Sequence, residues 1–141
     1  MTKPQKPKTL LEVFGGTPND TPKRTWRIEL GHLPHRNLNP NARVHWRTVA
    51  KAKSDAKEEA WALSHVYGVP DKPYDKAHMT VTYVGDKRNR DMDNLLAATK
   101  GYIDGIVAAK VVKDDSVFVL SYSLHYEVGK PNTIIEIEEI G

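Results

Sequence analysis

Within RNRDMDN, Arg88 to Asn94, two arginines and two aspartates fall close together. Opposed charges at this density either cancel as surface ion pairs or mark a place where an anionic polymer meets a metal ion. The residues that follow add to the same chemistry. In DNLLAATKGYIDGIVAAK, Asp93, Lys100 and Asp104 are spaced i, i+7 and i+11, which at about 100° per residue sets two carboxylates and an ammonium on one ridge of a helix. Asp91 precedes that helix in the turn, and KDDS, Lys113 to Ser116, brings Asp114 and Asp115 to the turn before the next strand.

Carboxylates from a strand end, a helix start and a second strand start can converge at one edge of a sheet. Hard oxygen donors of this kind suit Mg²⁺ or Mn²⁺. Two such ions stabilise both the attacking and the leaving oxygen of an in-line phosphodiester displacement. Lys87, Arg88 and Arg90, just ahead of the acids, would hold neighbouring phosphates. Arg43, Arg47 and Lys51, at i, i+4 and i+8, offer a second cationic line, although a helix start favours anions over cations.

Each piece also has an ordinary explanation. An aspartate at a helix start commonly caps it, Asp-Asp-Ser before a strand commonly makes a turn, and Lys100 with Asp104 at i, i+4 forms a weak surface pair. Arg43, Arg47 and Lys51 would equally suit a solvated face. Trp46 and Trp61 are expected in the core rather than as base-stacking groups. His32, His35, His45, His65, His78 and His125 show no metal-ligand spacing and receive no role.

The elements that must position these groups follow from periodicity. TWRIELGHLP, Thr25 to Pro34, reads as a strand ended by proline, and HRNLNPNARVHW as a loop whose Asn and Pro residues suit turns and capping. From Arg43 to Tyr67 a helix is expected, with Val49, Ala52, Ala56, Ala60 and Leu63 as a narrow apolar stripe. HMTVTYV, His78 to Val84, is a β-branched strand, and a second helix runs from Asp93 to Ala109 with Leu95, Leu96, Tyr102, Ile103 and Ile106 inward. SVFVLSYSLHYEV alternates as one long strand with Phe118, Leu120, Tyr122, Leu124, Tyr126 and Val128 on one face. GKPN then turns into TIIEIEEI as an antiparallel hairpin partner. The order βαβαββ predicts a single α+β domain over residues 24–141, one mixed sheet with two main helices. Residues 1–23, rich in Pro, Lys, Thr and Gly, read as a flexible N-terminal arm, or one that orders against a partner.

Composition sets the outer limits. A chain of 141 residues with 39% hydrophobic and 28% charged content suits one globular domain. It has no apolar run of membrane-spanning length and no secretory signal pattern, so cytoplasmic residence is expected. The absence of cysteine excludes disulfides, thiolate nucleophiles and cysteine-held metals. A net charge of +3 and a pI near 9.0 permit nucleic-acid binding without requiring it.

RNRDMDNLLAATKGYIDGIVAAKVVKDDS resembles the central motif of the RusA family of Holliday junction resolvases. There an Arg-rich run leads into Asp-x-Asp-Asn-Leu, a helix carrying Lys and Asp, and an Asp-Asp pair before a strand. LNPNARVHWR is similar to the family's N-terminal Pro-x-x-Asn loop, and the resemblance spans about residues 25–139. It implies a RusA-like fold and a homodimer that resolves four-way DNA junctions by paired symmetric nicks, using Mg²⁺, in recombination and repair. It implies divalent-metal ligands at Asp91, Asp93 and Asp115, and a functional lysine at Lys100, which keeps the family's spacing to Asp104 once a short helix insertion is allowed. Arg43, Arg47, Lys87, Arg88 and Arg90 would contact the DNA backbone. A bacterial or bacteriophage-encoded protein is implied too. Two alternatives are carried with it: a branched-DNA-binding module of the same fold without turnover, and an interaction protein whose charges are all solvated.

Overall fold

In the computed structural model, which describes residues 23–140, strand β2 (Ala77–Gly85) shows how the layers are built. Ala77, Met79, Val81 and Tyr83 are fully buried, while His78, Thr80, Thr82 and Val84 are half-buried. That period of two marks a strand with one face under a core. The arm expected over residues 1–23 lies outside the described residues except for Lys23.

Strands β1 (Thr25–Glu29), β2, β3 (Leu120–Val128) and β4 (Asn132–Glu139) form a sheet in the order β1-β4-β2-β3. β2 and β3 are parallel, and β4 runs antiparallel to both β1 and β2. Helices α1 (Trp46–Tyr67) and α2 (Met92–Ala108) complete the α+β domain. Ala52, Ala56 and Ala60 of α1 join Tyr102, Ile103 and Ile106 of α2 and the Met79 face of the sheet in one core. The opposite sheet face carries Arg27, Glu29, Glu136, Glu138, His78, Ser123 and Glu127.

The expected β3–β4 hairpin is not formed. Residues 129–131 carry the chain over the end of β2, where the Gly129 N–H donates to the Gly85 carbonyl at 2.9 Å, and β4 enters between β1 and β2. Burial explains the choice. Ile135 and Ile137 are almost fully enclosed, which needs a partner on both sides. The outward residues of β3 are polar and exposed, as suits an edge strand. The long third strand is also shorter than expected. Residues 116–119 form a turn, and Val117 and Phe118 stand 87% and 83% exposed, so Phe118 does not share the Leu120 face.

The two helices meet through small residues. Gly101 and Gly105 lie one turn apart on α2, and a β-carbon added at Gly105 would collide with the Lys57 carbonyl oxygen and stand 2.9 Å from the Ala60 β-carbon. At Gly101 the nearest atom, the Ala56 β-carbon, would be 3.1 Å away. The predicted apolar stripe of α1 is therefore real, and it is narrow because the backbones approach so closely. No indole fits there. Trp46 and Trp61, expected in the core, are 67% and 46% exposed, while Trp26 of β1 is the buried indole and its Nε1–H donates to the Gly68 carbonyl at 2.8 Å. A hydrogen-bonded pair ties α2 to the sheet: the buried Tyr83 hydroxyl lies 2.7 Å from Thr99 Oγ1, which donates to the Leu95 carbonyl at 2.6 Å. Burial pushes the Tyr83 phenol up to about 12.

The loop after β1 is fastened to α1 by His32. Its Nε2 lies 2.6 Å from Glu59 Oε2 and its Nδ1 2.6 Å from the Leu33 carbonyl. Both partners only accept, so the protonated ring satisfies both bonds. Burial draws the His32 pKa down, but the Leu33 carbonyl and the Glu59 carboxylate outweigh it and leave it raised. A raised folded-state pKa gives stability that is fully present below about pH 6 and is lost as pH rises through the folded value. In thermal melts the advantage of wild type over His32→Gln should shrink from acid to mildly alkaline pH. A constant difference across that range would remove the imidazolium from the fastening.

Candidate active site

Asp91 is the N-cap of α2: its Oδ1 accepts the Asp93 N–H at 3.0 Å, satisfying one of the free donors of the first turn. Asp93 follows in that turn, where a carboxylate also suits the helix dipole. Capping is thus what Asp91 visibly does.

The ridge forms as its spacing requires. Asp93, Lys100 and Asp104 together line a cavity of about 560 Å³, into which Tyr122 of β3 and Lys53 of α1 also project. Lys100 Nζ donates to Asp104 Oδ1 at 2.6 Å and also to Asp115 Oδ2. Asp115 reaches it because Asp114 shapes the preceding turn, its Oδ1 accepting the Ser116 N–H at 2.7 Å. That bond, with a second from the Ser116 side chain, holds the Asp114 carboxyl below its usual range.

One ammonium therefore bridges two carboxylates from different elements. Burial draws the Lys100 pKa down, yet its bonds to Asp104 and then Asp115 prevail and leave it raised. Lys100 is a permanent cation near neutral pH. Burial first, and the Asp115 carboxylate next, raise the Tyr122 phenol.

Asp91 opens on a different hollow. A second cavity, of about 450 Å³, is lined by Asp91 with Arg36, Arg88 and Arg90 among others. Arg88 Nε donates to Asp86 Oδ2 at 2.9 Å, and Arg90 donates through Nη2 to Asp86 Oδ1 at 3.2 Å and through Nε to the Tyr126 hydroxyl at 3.2 Å. Lys87 is exposed beside them. Asp86, which organises the arginines, had no place in the sequence analysis although it stands at the head of the same charged run, and Tyr126 figured there only as a residue of a strand face. Arg36 was missed as well, since it lies in a separate loop with no charged neighbour.

The second cationic line, Arg43, Arg47 and Lys51, is broken. His45 caps α1, its Nδ1 accepting the Arg47 N–H at 3.1 Å, so the helix begins at Trp46 and Arg43 falls in the loop before it. Within α1, the Arg47 guanidinium lies over the Trp46 ring at 5.2 Å and Lys51 pairs with Asp55 at 3.1 Å.

The all-oxygen donor set suits a hard divalent ion, but the implied ligands are strung out. At about 1.5 Å rise per residue, Asp93 and Lys100 are separated by about 10 Å along the axis, and Asp115 sits at the Lys100 end. Accordingly no three Asp, Glu or His side chains are gathered for one ion among the described residues. Mg²⁺ commonly takes only one or two carboxylates, completing its shell with water and substrate phosphate. The Asp91 and Asp93 end fits that mode.

Fold and site together define an α+β domain with an acid-lined cavity beside an arginine-lined one. No family model matches the chain, and no curated protein matches it. No helix among the described residues is long and apolar enough to cross a membrane.

Proposed function

We propose that the chain is a Mg²⁺-dependent endodeoxyribonuclease that cuts four-way DNA junctions by paired nicks, as its RusA-like motif implies. The observation that carries this is the meeting of Lys100 with both Asp104 and Asp115 on the ridge that Asp93 shares.

Asp91 and Asp93 would hold Mg²⁺ (Mn²⁺ serving equally) together with a substrate phosphate, while Asp115, the third ligand the motif implies, stands at the Lys100 end of the ridge. The ion when bound supplies an activated water and neutralises charge on the phosphodiester. Lys100, permanently charged, stabilises the extra negative charge of the transition state rather than removing a proton. Arg88 and Arg90, oriented by Asp86, hold flanking phosphates, with Lys87, Arg43 and Arg47 as outer contacts. A two-fold junction needing two cuts calls for two copies of one site, most simply a homodimer. The same reading puts the protein in bacterial or bacteriophage DNA recombination and repair, in the cytoplasm.

One observation favours a second reading, a branched-DNA-binding module without turnover: Asp115 is committed to Lys100. A synthetic four-way junction, labelled on each strand in turn and incubated with Mg²⁺, separates the two. Paired symmetric nicks are expected from wild type, and Asp93→Asn should lower their rate by at least about a hundredfold. Tight binding with no nicks establishes the binding module, and unchanged cleavage by Asp93→Asn removes Asp93 from the site.

A further inference from the structure

The cavity of about 450 Å³ on the Asp91 side is larger than a phosphate contact needs. It lies within the range, roughly 300–1,000 Å³, in which proteins enclose small-molecule-sized groups. Its walls are of two kinds. Arg36, Arg88 and Arg90 supply three guanidiniums, and Asn39, Asn89 and Asn94 supply three carboxamides. Asp86 takes the ion pairs of Arg88 and Arg90, while Arg36 forms none among the described residues. Pro34 and Leu95 add an apolar surface.

We propose that this cavity takes one nucleotide of a DNA strand, extruded from its stack, with Arg36 and Arg90 on its phosphate and the asparagines on the edge of its base. Guanidinium forks match phosphate oxygens, and a carboxamide, carrying both donor and acceptor, can read a base edge in two directions. The apolar wall covers the base, which phosphate binding alone would not require. Asp91 is the cavity's one carboxylate, so the phosphate lies toward the arginines. Asp91 is also two residues from Asp93, so the nucleotide held here neighbours the bond that the acidic ridge addresses. The assignment rests on the proposed function for its substrate class. It goes further in giving the cavity a unit of that substrate and a means of preferring one base.

The test uses a four-way junction with 2-aminopurine at the nucleotides flanking the crossover and a dye on one arm, with EDTA present so that nothing is cut. Saturating wild-type protein is expected to raise the 2-aminopurine fluorescence, since the base brightens on leaving the stack and extrusion is the step that admits it. Arg36→Ala, at an exposed position, is expected to weaken binding by at least about tenfold. A flat 2-aminopurine signal at saturation, or an unchanged Arg36→Ala affinity, overturns the cavity's assignment while leaving the nuclease proposal standing. If wild type does not bind the junction at all, the proposed function fails and the cavity's assignment with it.

Discussion

Lys100→Met is expected to lower single-turnover cleavage of a four-way junction by at least about a hundredfold while shifting the unfolding free energy by no more than about 1 kcal/mol. The two numbers separate because the lysine's surroundings differ in the two measurements. In the free protein the Lys100, Asp104 and Asp115 side chains are 56%, 45% and 36% exposed, so water screens the pairs and their loss costs little. With a phosphodiester over the ridge, water is displaced and the same ammonium faces growing negative charge in a less polar setting. Methionine keeps the length and removes the charge. Because the raised Lys100 pKa keeps the group charged, this lysine should place no limb in the neutral part of the pH–rate profile. Lys100→Met cleaving at the wild-type rate would return Lys100, Asp104 and Asp115 to the status of a surface ion-pair cluster.

Gly105→Ala should cost about 1–2 kcal/mol in urea unfolding, a large loss for one methyl group. Alanine gains about 1 kcal/mol over glycine in helix propensity, and overpacking a close contact costs about 1–3 kcal/mol or more. The balance goes against alanine here because the new β-carbon meets the backbone of Lys57, which no rotamer change can move aside. Gly101→Ala is the control, since its β-carbon would first meet the Ala56 methyl at 3.1 Å and the propensity gain should leave it near neutral. Equal stability for both variants would mean that α1 and α2 are further apart than described. Spreading the helices would also move the Lys100 ridge relative to Lys53, so Gly105→Ala should lose cleavage as well.

The ridge of Asp93, Lys100 and Asp104 was legible in the sequence because it depends only on helical period. The α+β class and both helices were legible for the same reason, carried by alternation in β2 and by the alanine stripe of α1. What was not legible depends on where separate elements land. The contact between Lys100 and Asp115 spans a helix end and a turn. Arg36 joins Arg88 and Arg90 only after the loop following β1 folds against the start of α2. The position of β4 illustrates the limit most clearly: a short link ordinarily makes a hairpin, but two enclosed isoleucines demanded a partner on each side. Trp46 and Trp61 were expected in the core and stand outside it, because the close seam between α1 and α2 is built on alanine and glycine.

The bare face of the sheet has a bearing on how a polyanion would approach. Glu29, Glu127, Glu136 and Glu138 stand there against Arg27, with Lys23 reaching Glu138 from just ahead of β1, although the chain as a whole is positive by +3. Separating the two signs onto opposite sides makes the molecule an electric dipole that experiences a torque in the field of a phosphate chain. The protein would turn its sheet away within about a Debye length of contact, where the field is still unscreened, and arrive with the arginines leading.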